Sequence, residues 1–290
     1  METPVAPQIS SQVSEEHRTA AEDQLREALD DARIDVRIIE SAQEAADASL
    51  LLDEVWNVTG SGTTVLEPSL FIALAHARNY TAAAFDRDSG QMLGVTVGFF
   101  AAPVGTSMHS HVAGVRHEAV GRGIGAAMKL HQRLWCLEHG LTRMTWTFDP
   151  LIARNAHFNI ARLGARLVDY HEDFYGQMRD GVNAGQASDR AFVDWDLTDA
   201  RPSPLTDPDA QAVAAVRIDD DGRPQELDVP REAPVVAIEI PSDIETLRAT
   251  DPRLAAQWRE AVRRGFVELL ADGWRVSGFR RSGAYLLTHP

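Results

Sequence analysis

The chain has 290 residues, of which 44% are hydrophobic and 24% charged, and carries a formal net charge of −15 at pH 7. This suits one large or two small domains with ample core, and the acidic balance repels nucleic acid and anionic membrane, so neither is expected as a partner. No apolar run approaches the roughly 20 residues of a membrane span, and the start METPVAPQISSQVSEEH lacks the pattern of a signal peptide. A single cysteine, Cys136, excludes a disulfide framework and a thiolate zinc site, and cytoplasmic residence is the default expectation.

Residues 1–33 read as a polar tail or a loosely docked helix, with an amphipathic stretch from His17 to Ala32. A short strand is expected at Asp35–Ile39. Ser41–Trp56 reads as a helix: Ser41 and Glu44 have capping-box spacing, and Ala45, Ala48, Leu52, Val55 and Trp56 share a face. GSGTT breaks it, and Pro68–Ala77 is a second helix. Tyr80–Phe85 and Met92–Ala101 are strands joined by the turn DRDSG, followed by a strand at Met108–Val115. Ile124, Ala127, Met128, His131, Leu134 and Trp135 mark one face of a long helix ending at Gly140. Cys136 falls on this helix, where a small buried apolar residue is the ordinary reading. Arg143–Phe148 alternates as a strand, Asn155–Leu163 is a helix stopped by Gly164, and Arg166–Tyr170 and Ala191–Trp195 complete a sheet.

The texture changes at Asp199. RPSPLTDPD has linker composition; a hairpin around DDDG, a strand at Val235–Ile240 and a helix with the stripe Leu254, Trp258, Ala261, Val262, Phe266 and Leu269 follow. Trp274–Arg280 and Ala284–Leu287 read as a closing hairpin. The expected organisation is therefore a tail (1–33), a domain at 34–198 and an α+β extension at 199–290 packed on it, the stripe requiring a partner surface.

The stretch HSHVAGVRHEAVGRGIG, His109–Gly125, places Gly121, Gly123 and Gly125 between a strand and a helix. The first helical turn carries N–H groups with no intrahelical acceptor and the positive end of the helix dipole, and glycines admit a bulky phosphate, so the segment reads as a pyrophosphate site. It is not a P-loop, because Ala126 and Ala127 stand where Lys and Ser/Thr would follow. Nor does it have the glycine spacing and early position of a dinucleotide fingerprint.

The order strand, two helices, three antiparallel strands, long helix, strand, helix, strand resembles the GNAT acyltransferase fold. VRHEAVGRGIG at Val115–Gly125 is similar to the family's acyl-CoA loop, [QR]-x-x-G-x-[GA], and NAHFNIARLGA at Asn155–Ala165 to its second signature, a helix from an asparagine to a Leu-Gly pair. The strings HSH, WTFDPL-x-ARNA-x-FN, FYG and SDR resemble a subfamily of bacterial acetyltransferases with a similar C-terminal extension. The implied fold is an α+β (α/β) GNAT fold with a mixed, mostly antiparallel sheet flanked by helices. Two positions depart from the pattern: Val120 replaces the loop's usual Gln or Arg, and Ile160 stands where the family often has the tyrosine that protonates the leaving thiolate.

The resemblance implies that pantetheine pairs with Ala113, Gly114 and Val115, that pyrophosphate sits on the N–H groups of Arg122, Gly123, Ile124, Gly125 and Ala126 beside Gly121, and that Asn155 reaches the cofactor's arm. The acceptor amine must lose a proton, and His109 and His111, two apart on a strand, point to one face and suit a general base. Each is also read as a structural histidine. No third ligand lies nearby, so no metal is expected. Asp149, at the end of a strand that the family's geometry splays from that of the histidines, is a candidate to orient a histidine, bind an ammonium or cap the following helix. Tyr175 in FYG is a replacement general acid, or a tyrosine packed under a loop. Arg154 and Arg190 are candidates for an acceptor carboxylate, with Ser188, Asp189 and Arg190 lining a pocket or forming a turn with a local ion pair. Arg263-Arg264 and Arg280-Arg281 read as solvated. The expected activity is transfer of an acyl group from acetyl-CoA, or succinyl-CoA, to the amine of a small molecule such as an amino acid; a catalytically silent acyl-CoA sensor is the rival, and a homodimer is admitted.

Overall fold

The structure, a computed structural model, describes residues 13–60, 62–176, 187–199 and 212–289. In chain order the elements are α1 (Glu15–Ala32), β1 (Ile34–Ile38), α2 (Ala42–Val55), α3 (Pro68–His76), β2 (Tyr80–Asp86), β3 (Met92–Ala101), β4 (Ser107–Val115), α4 (Ile124–Glu138), β5 (Arg143–Phe148) and α5 (Ala153–Ala156). Then come β6 (Arg166–His171), β7 (Arg190–Asp196), β8 (Val213–Ile218), β9 (Pro224–Glu226), β10 (Val236–Glu239), α6 (Ile244–Thr250), α7 (Pro252–Ala271), β11 (Arg275–Arg280) and β12 (Ala284–Thr288). From β1 to β7 the elements follow the order that the resemblance implies, in an α+β chain. It forms two compact units, Met1–Met144 with Asp196–Thr198, and Thr145–Trp195 with Asp199–Pro290. Residues 199–290 thus share a unit with 145–195, so the division falls inside β5 rather than at residue 199. No helix among the described residues is long and apolar enough to cross a membrane.

In the first unit β1, β2, β3 and β4 form an antiparallel meander in that order. The capping box forms: Ser41 Oγ accepts from the Glu44 N–H at 3.1 Å, and the Glu44 carboxylate accepts from the Ser41 N–H at 3.3 Å. Ala45, Ala48, Leu51 and Leu52 of α2 then join Val95, Val97 and Val112 of the sheet in one core. Ile124, Ala127 and Met128 of α4 pack with Ile34, Ala84 and Leu93 in another. Residues 15–32, read from the sequence as part of a tail or as a loosely docked helix, are an 18-residue helix on α4 that buries Ala21, Leu25 and Ala32. The reason is its spacing of small and apolar residues, which fits one helix against another. Residues 1–12 lie outside the described residues.

In the second unit β5, β7 and β6 run in that order, and β11, β12, β10, β8 and β9 form a five-stranded sheet. The hairpin around DDDG forms, with Gly222 left-handed in the β8–β9 turn (φ 76°). The α7 stripe is buried from Trp258 to Leu269, with Leu254 half-buried at its start: Phe266 stacks on Tyr170 of β6 (5.3 Å between centroids) and meets Tyr285 of β12 edge-on (4.9 Å). The helix expected at Asn155–Leu163 starts earlier, as the single turn Ala153–Ala156, and continues as a wider π-type turn over His157–Arg162. Helix α6 was not visible in the sequence pattern. RPSPLTDPD, expected as a linker, lies outside the described residues.

Candidate functional site

β4 delivers the chain to the glycine loop. Gly114 lies where α2 crosses the strand: a Cβ there would come within 3.2 Å of Leu52 and Val55. Ala113, its neighbour in the strand, is exposed and Val115 half-buried. A single 3₁₀ turn, His117–Ala119, follows. Gly121 and Gly123 then adopt left-handed conformations (φ 92° and 86°), which side-chain-bearing residues seldom take, and Gly123 becomes the N-cap of α4 with no side chain closing the helix end. No atom lies within 4 Å of where a Cβ of Gly121 or Gly125 would stand, so backbone faces open space there.

The N–H groups of Arg122 and Ala126 turn back to the carbonyls of Ala119 (3.4 Å) and Gly123 (3.0 Å). Those of Gly123, Ile124 and Gly125 stand ahead of the first intrahelical acceptor. The Ile124 side chain is buried in the core. Arg122's guanidinium donates to Asp86 (2.8 Å) and the Ala32 carbonyl (3.2 Å), and Arg116 pairs with Glu54, so both cations flanking the loop are held by protein groups. What the loop offers an anion is backbone N–H groups and a helix end.

His109 and His111 share a face of β4, as their spacing requires. Both rings lie against Phe99 of β3, at 5.4 and 5.6 Å, and 6.4 Å from each other. Burial, helped by His111 and Lys129, pushes His109 down to about 4. Burial also lowers His111. Both imidazoles are therefore neutral at pH 7 and able to accept a proton.

The opposite face of β4 holds a group the sequence pattern had not singled out. Lys129 of α4 is buried, and its ammonium donates to Ser110 Oγ (2.8 Å) and Gln132 Oε1 (3.1 Å), with Met144 Sδ at 3.7 Å. Burial lowers it from 10.5 to about 7. The apolar stripe expected on α4 places His131, Leu134 and Trp135 inward, whereas these are half-buried and Lys129, Gln132 and Arg133 are buried. The cause is α1, which covers a second side of the helix: Arg133 reaches Gln24 of α1 at 2.8 Å. Cys136 is buried beside Met108, and burial pushes its thiol up, so it is a packing residue.

In the second unit Asp149, at the end of β5, is 5% exposed and saturated with donors. Arg259 of α7 grips it with two parallel bonds of 2.8 Å, Arg248 of α6 pairs with the same carboxylate, and the Leu151 N–H donates to it at 3.0 Å. Burial alone would raise this carboxyl; Arg259, and then Arg248, outweigh it and hold Asp149 well below the carboxylate range. Asp189 is fully buried. It accepts from Arg263 (2.6 and 2.9 Å), from Tyr170 Oη (2.7 Å) and from the Asp173 N–H (3.0 Å). Arg263, expected in solvent, is thus tied to the interior, and the ion pair of Asp189 is long-range rather than local. Arg154 pairs with Glu245.

Tyr175 is half-exposed, with its Oη 3.3 Å from Thr147 Oγ1 of β5 and the Arg190 guanidinium 5.2 Å from its ring centre. Its N–H donates to Ser188 Oγ at 2.9 Å, which fixes the FYG turn. Arg190 is buried and donates to the Asp189 carbonyl. Ile160 is buried, and Asn155 is half-buried in the short turn of α5. The second unit thus brings together Tyr175, Ser188 and Arg190, and separately Asp149, Arg248 and Arg259. Arg248 and Arg259 lie about a hundred residues downstream of the Asp149 that they grip, and Arg263 lies 74 residues downstream of Asp189, separations that no local pattern in the sequence reveals.

No protein-family model and no curated protein matches the chain. Among solved structures, an acetyltransferase of the GNAT family from Streptococcus pneumoniae is similar at 17% identity and TM-score 0.45, covering 56% of this chain and 98% of that one. An N-acetyltransferase from Staphylococcus aureus Mu50 is similar at 14% identity and TM-score 0.46, covering 57% and 98%. A GNAT family acetyltransferase from Elizabethkingia anophelis, solved with acetyl-CoA bound, is similar at 11% identity and TM-score 0.42, covering 57% and 98%.

Proposed function

We propose that the chain is an acyl-CoA-dependent N-acyltransferase of the GNAT type, with acetyl-CoA as the default donor, succinyl-CoA as the second choice and a small amine such as an amino acid as acceptor. The observation that carries this reading is the loop Gly121–Gly125. Two left-handed glycines, Gly121 and Gly123, lead from β4 into a 15-residue helix with no side-chain cap, with open space where a Cβ of Gly121 or Gly125 would stand. That arrangement suits a pyrophosphate, and it occurs at the position in the element order where the GNAT resemblance calls for it. The N–H groups of Gly123, Ile124 and Gly125 are the donors that would hold it. By the resemblance, Ala113 to Val115 are the candidates to pair with the pantetheine arm and Asn155 is a further candidate for the donor. When bound, the acyl-CoA supplies the activated thioester.

The chain's own part is to hold, orient and move protons. His109 and His111, neutral at pH 7, are the candidate bases for the acceptor ammonium. Tyr175 Oη is the candidate proton donor in place of the tyrosine that Ile160 replaces. Asp149, saturated by two guanidiniums, is assigned to architecture in this reading, and so is Arg154, paired with Glu245. Arg190, beside Tyr175, remains the candidate for an acceptor carboxylate. The rival reading, an acyl-CoA sensor without turnover, draws support from the buried Ile160.

Calorimetric titration with acetyl-CoA, succinyl-CoA and free CoA, followed by mass-spectrometric assay against a panel of amino acids and amines, separates the readings. Binding with transfer supports the enzyme, and binding without transfer to any amine supports the sensor. Absence of binding by all three ligands overturns both.

A further inference from the structure

Asp149–Asn155, which run from the end of β5 into the turn of α5, receive ties from three separate elements of the C-terminal segment. Arg259 of α7 holds the Asp149 carboxylate bidentately, and Arg248 of α6 holds the same group. Tyr285 of β12, fully buried, donates its hydroxyl to the Pro150 carbonyl at 2.7 Å. Glu245 of α6 pairs with Arg154. Inside the segment the Asp149 carboxylate also accepts from the Leu151 N–H, and the Ile152 and Asn155 N–H groups donate to the Asp149 and Ile152 carbonyls at 3.1 and 2.9 Å. The carboxylate therefore joins an internal turn to an external clamp.

A buried ion pair is weak evidence for stability, because well-packed apolar groups of similar volume do as well. What a planar guanidinium fork gives a carboxylate is a fixed orientation. Here that orientation is imposed on the segment ending at Asn155, and the fully buried phenol fixes the next carbonyl along.

We propose that Arg259 and Tyr285 are positioning residues: by clamping Asp149 and Pro150 they set the backbone path of Asp149–Asn155 and with it the reach of Asn155 toward the acyl donor, the donor's identity resting on the acyl-CoA reading above.

The test uses the full-length chain with Arg259→Lys, which keeps the charge and loses the fork, and Tyr285→Phe, which removes one oxygen from a packed ring. Amide hydrogen exchange over residues 151–156 is measured together with calorimetric Kd for acetyl-CoA and the split between KM and kcat. Each variant is expected to speed exchange in this segment by about tenfold and to raise Kd and KM for the donor by a similar factor, with kcat within about twofold. A merely structural role would lower the unfolding midpoint and leave the segment's exchange and KM as in wild type; that outcome in Tyr285→Phe overturns the proposal even if Arg259→Lys fails to fold. If the wild-type chain binds no acyl-CoA, the functional reading fails, and the exchange measurement still decides whether the clamp positions the segment.

Discussion

Lys129→Met is the most discriminating perturbation of the first unit's interior. The lysine is buried against Ser110 and Gln132, and burial lowers it from 10.5 to about 7. The unfolded chain therefore holds a proton that the folded chain gives up between pH 7 and 10.5, so wild-type stability climbs with pH across that window. Below pH 7 the cost of the buried charge is fully felt; above 10.5 it is gone. At 1.36 kcal/mol per pH unit the whole effect is about 5 kcal/mol, and roughly half of it is relieved between pH 6 and pH 9. Methionine fills similar volume and never charges, but leaves Ser110 Oγ and Gln132 Oε1 without this donor, which costs roughly 1–3 kcal/mol at all pH values. The expected result is a variant more stable than wild type at pH 6 by about 2–3 kcal/mol, with the advantage disappearing by pH 9. Urea unfolding of both proteins at pH 6, 7.5 and 9 measures it, and groups common to the two proteins cancel in the difference. A difference that stays flat over this range would show that the ammonium retains an ordinary titration and is not dehydrated by the fold.

Three further outcomes are expected. Gly125→Asp, at a position with open space and ordinary backbone, puts a carboxylate among the proposed phosphate donors and should weaken acetyl-CoA binding by at least about tenfold in calorimetry; unchanged affinity would remove the loop from the donor site. If His109 is the base, kcat/KM holds its plateau down through pH 6.5 and falls only as pH drops through about 4, because burial lowers this histidine. His109→Ala should then lose about 10²- to 10⁴-fold, and wild-type rates in both His109→Ala and His111→Ala would place the base elsewhere. Truncation after Asp199 takes Arg248 and Arg259 from the buried Asp149 and Phe266 from Tyr170, so the fragment should be insoluble; a soluble, active fragment would show that the two segments fold independently.

Local chemistry was legible in the sequence wherever it is decided within a few residues. The capping box at Ser41 and Glu44, the DRDSG turn, the stripe on α7 and the glycines between β4 and α4 each follow from a spacing or from a backbone conformation that one residue type favours. The alternation of HSH is enough to put both histidines on one face, because a strand has a period of two. What the sequence left open depends on partners far along the chain. The sequence left the helix at 15–32 open between a polar tail and a loosely docked helix, because its buried residues are few and mostly alanine; only α4 supplies the surface they fit. Lys129 has the sequence character of an ordinary solvated cation on a helix, yet α1 and the sheet enclose that helix from two sides. Asp149 had the residue type and place of a catalytic carboxylate, and what it does is set by Arg248 and Arg259, about a hundred residues away in sequence. A side chain's intrinsic preferences travel with the sequence; its burial and its charge partners belong to the tertiary structure, and in the low-dielectric interior those two decide its protonation and its role.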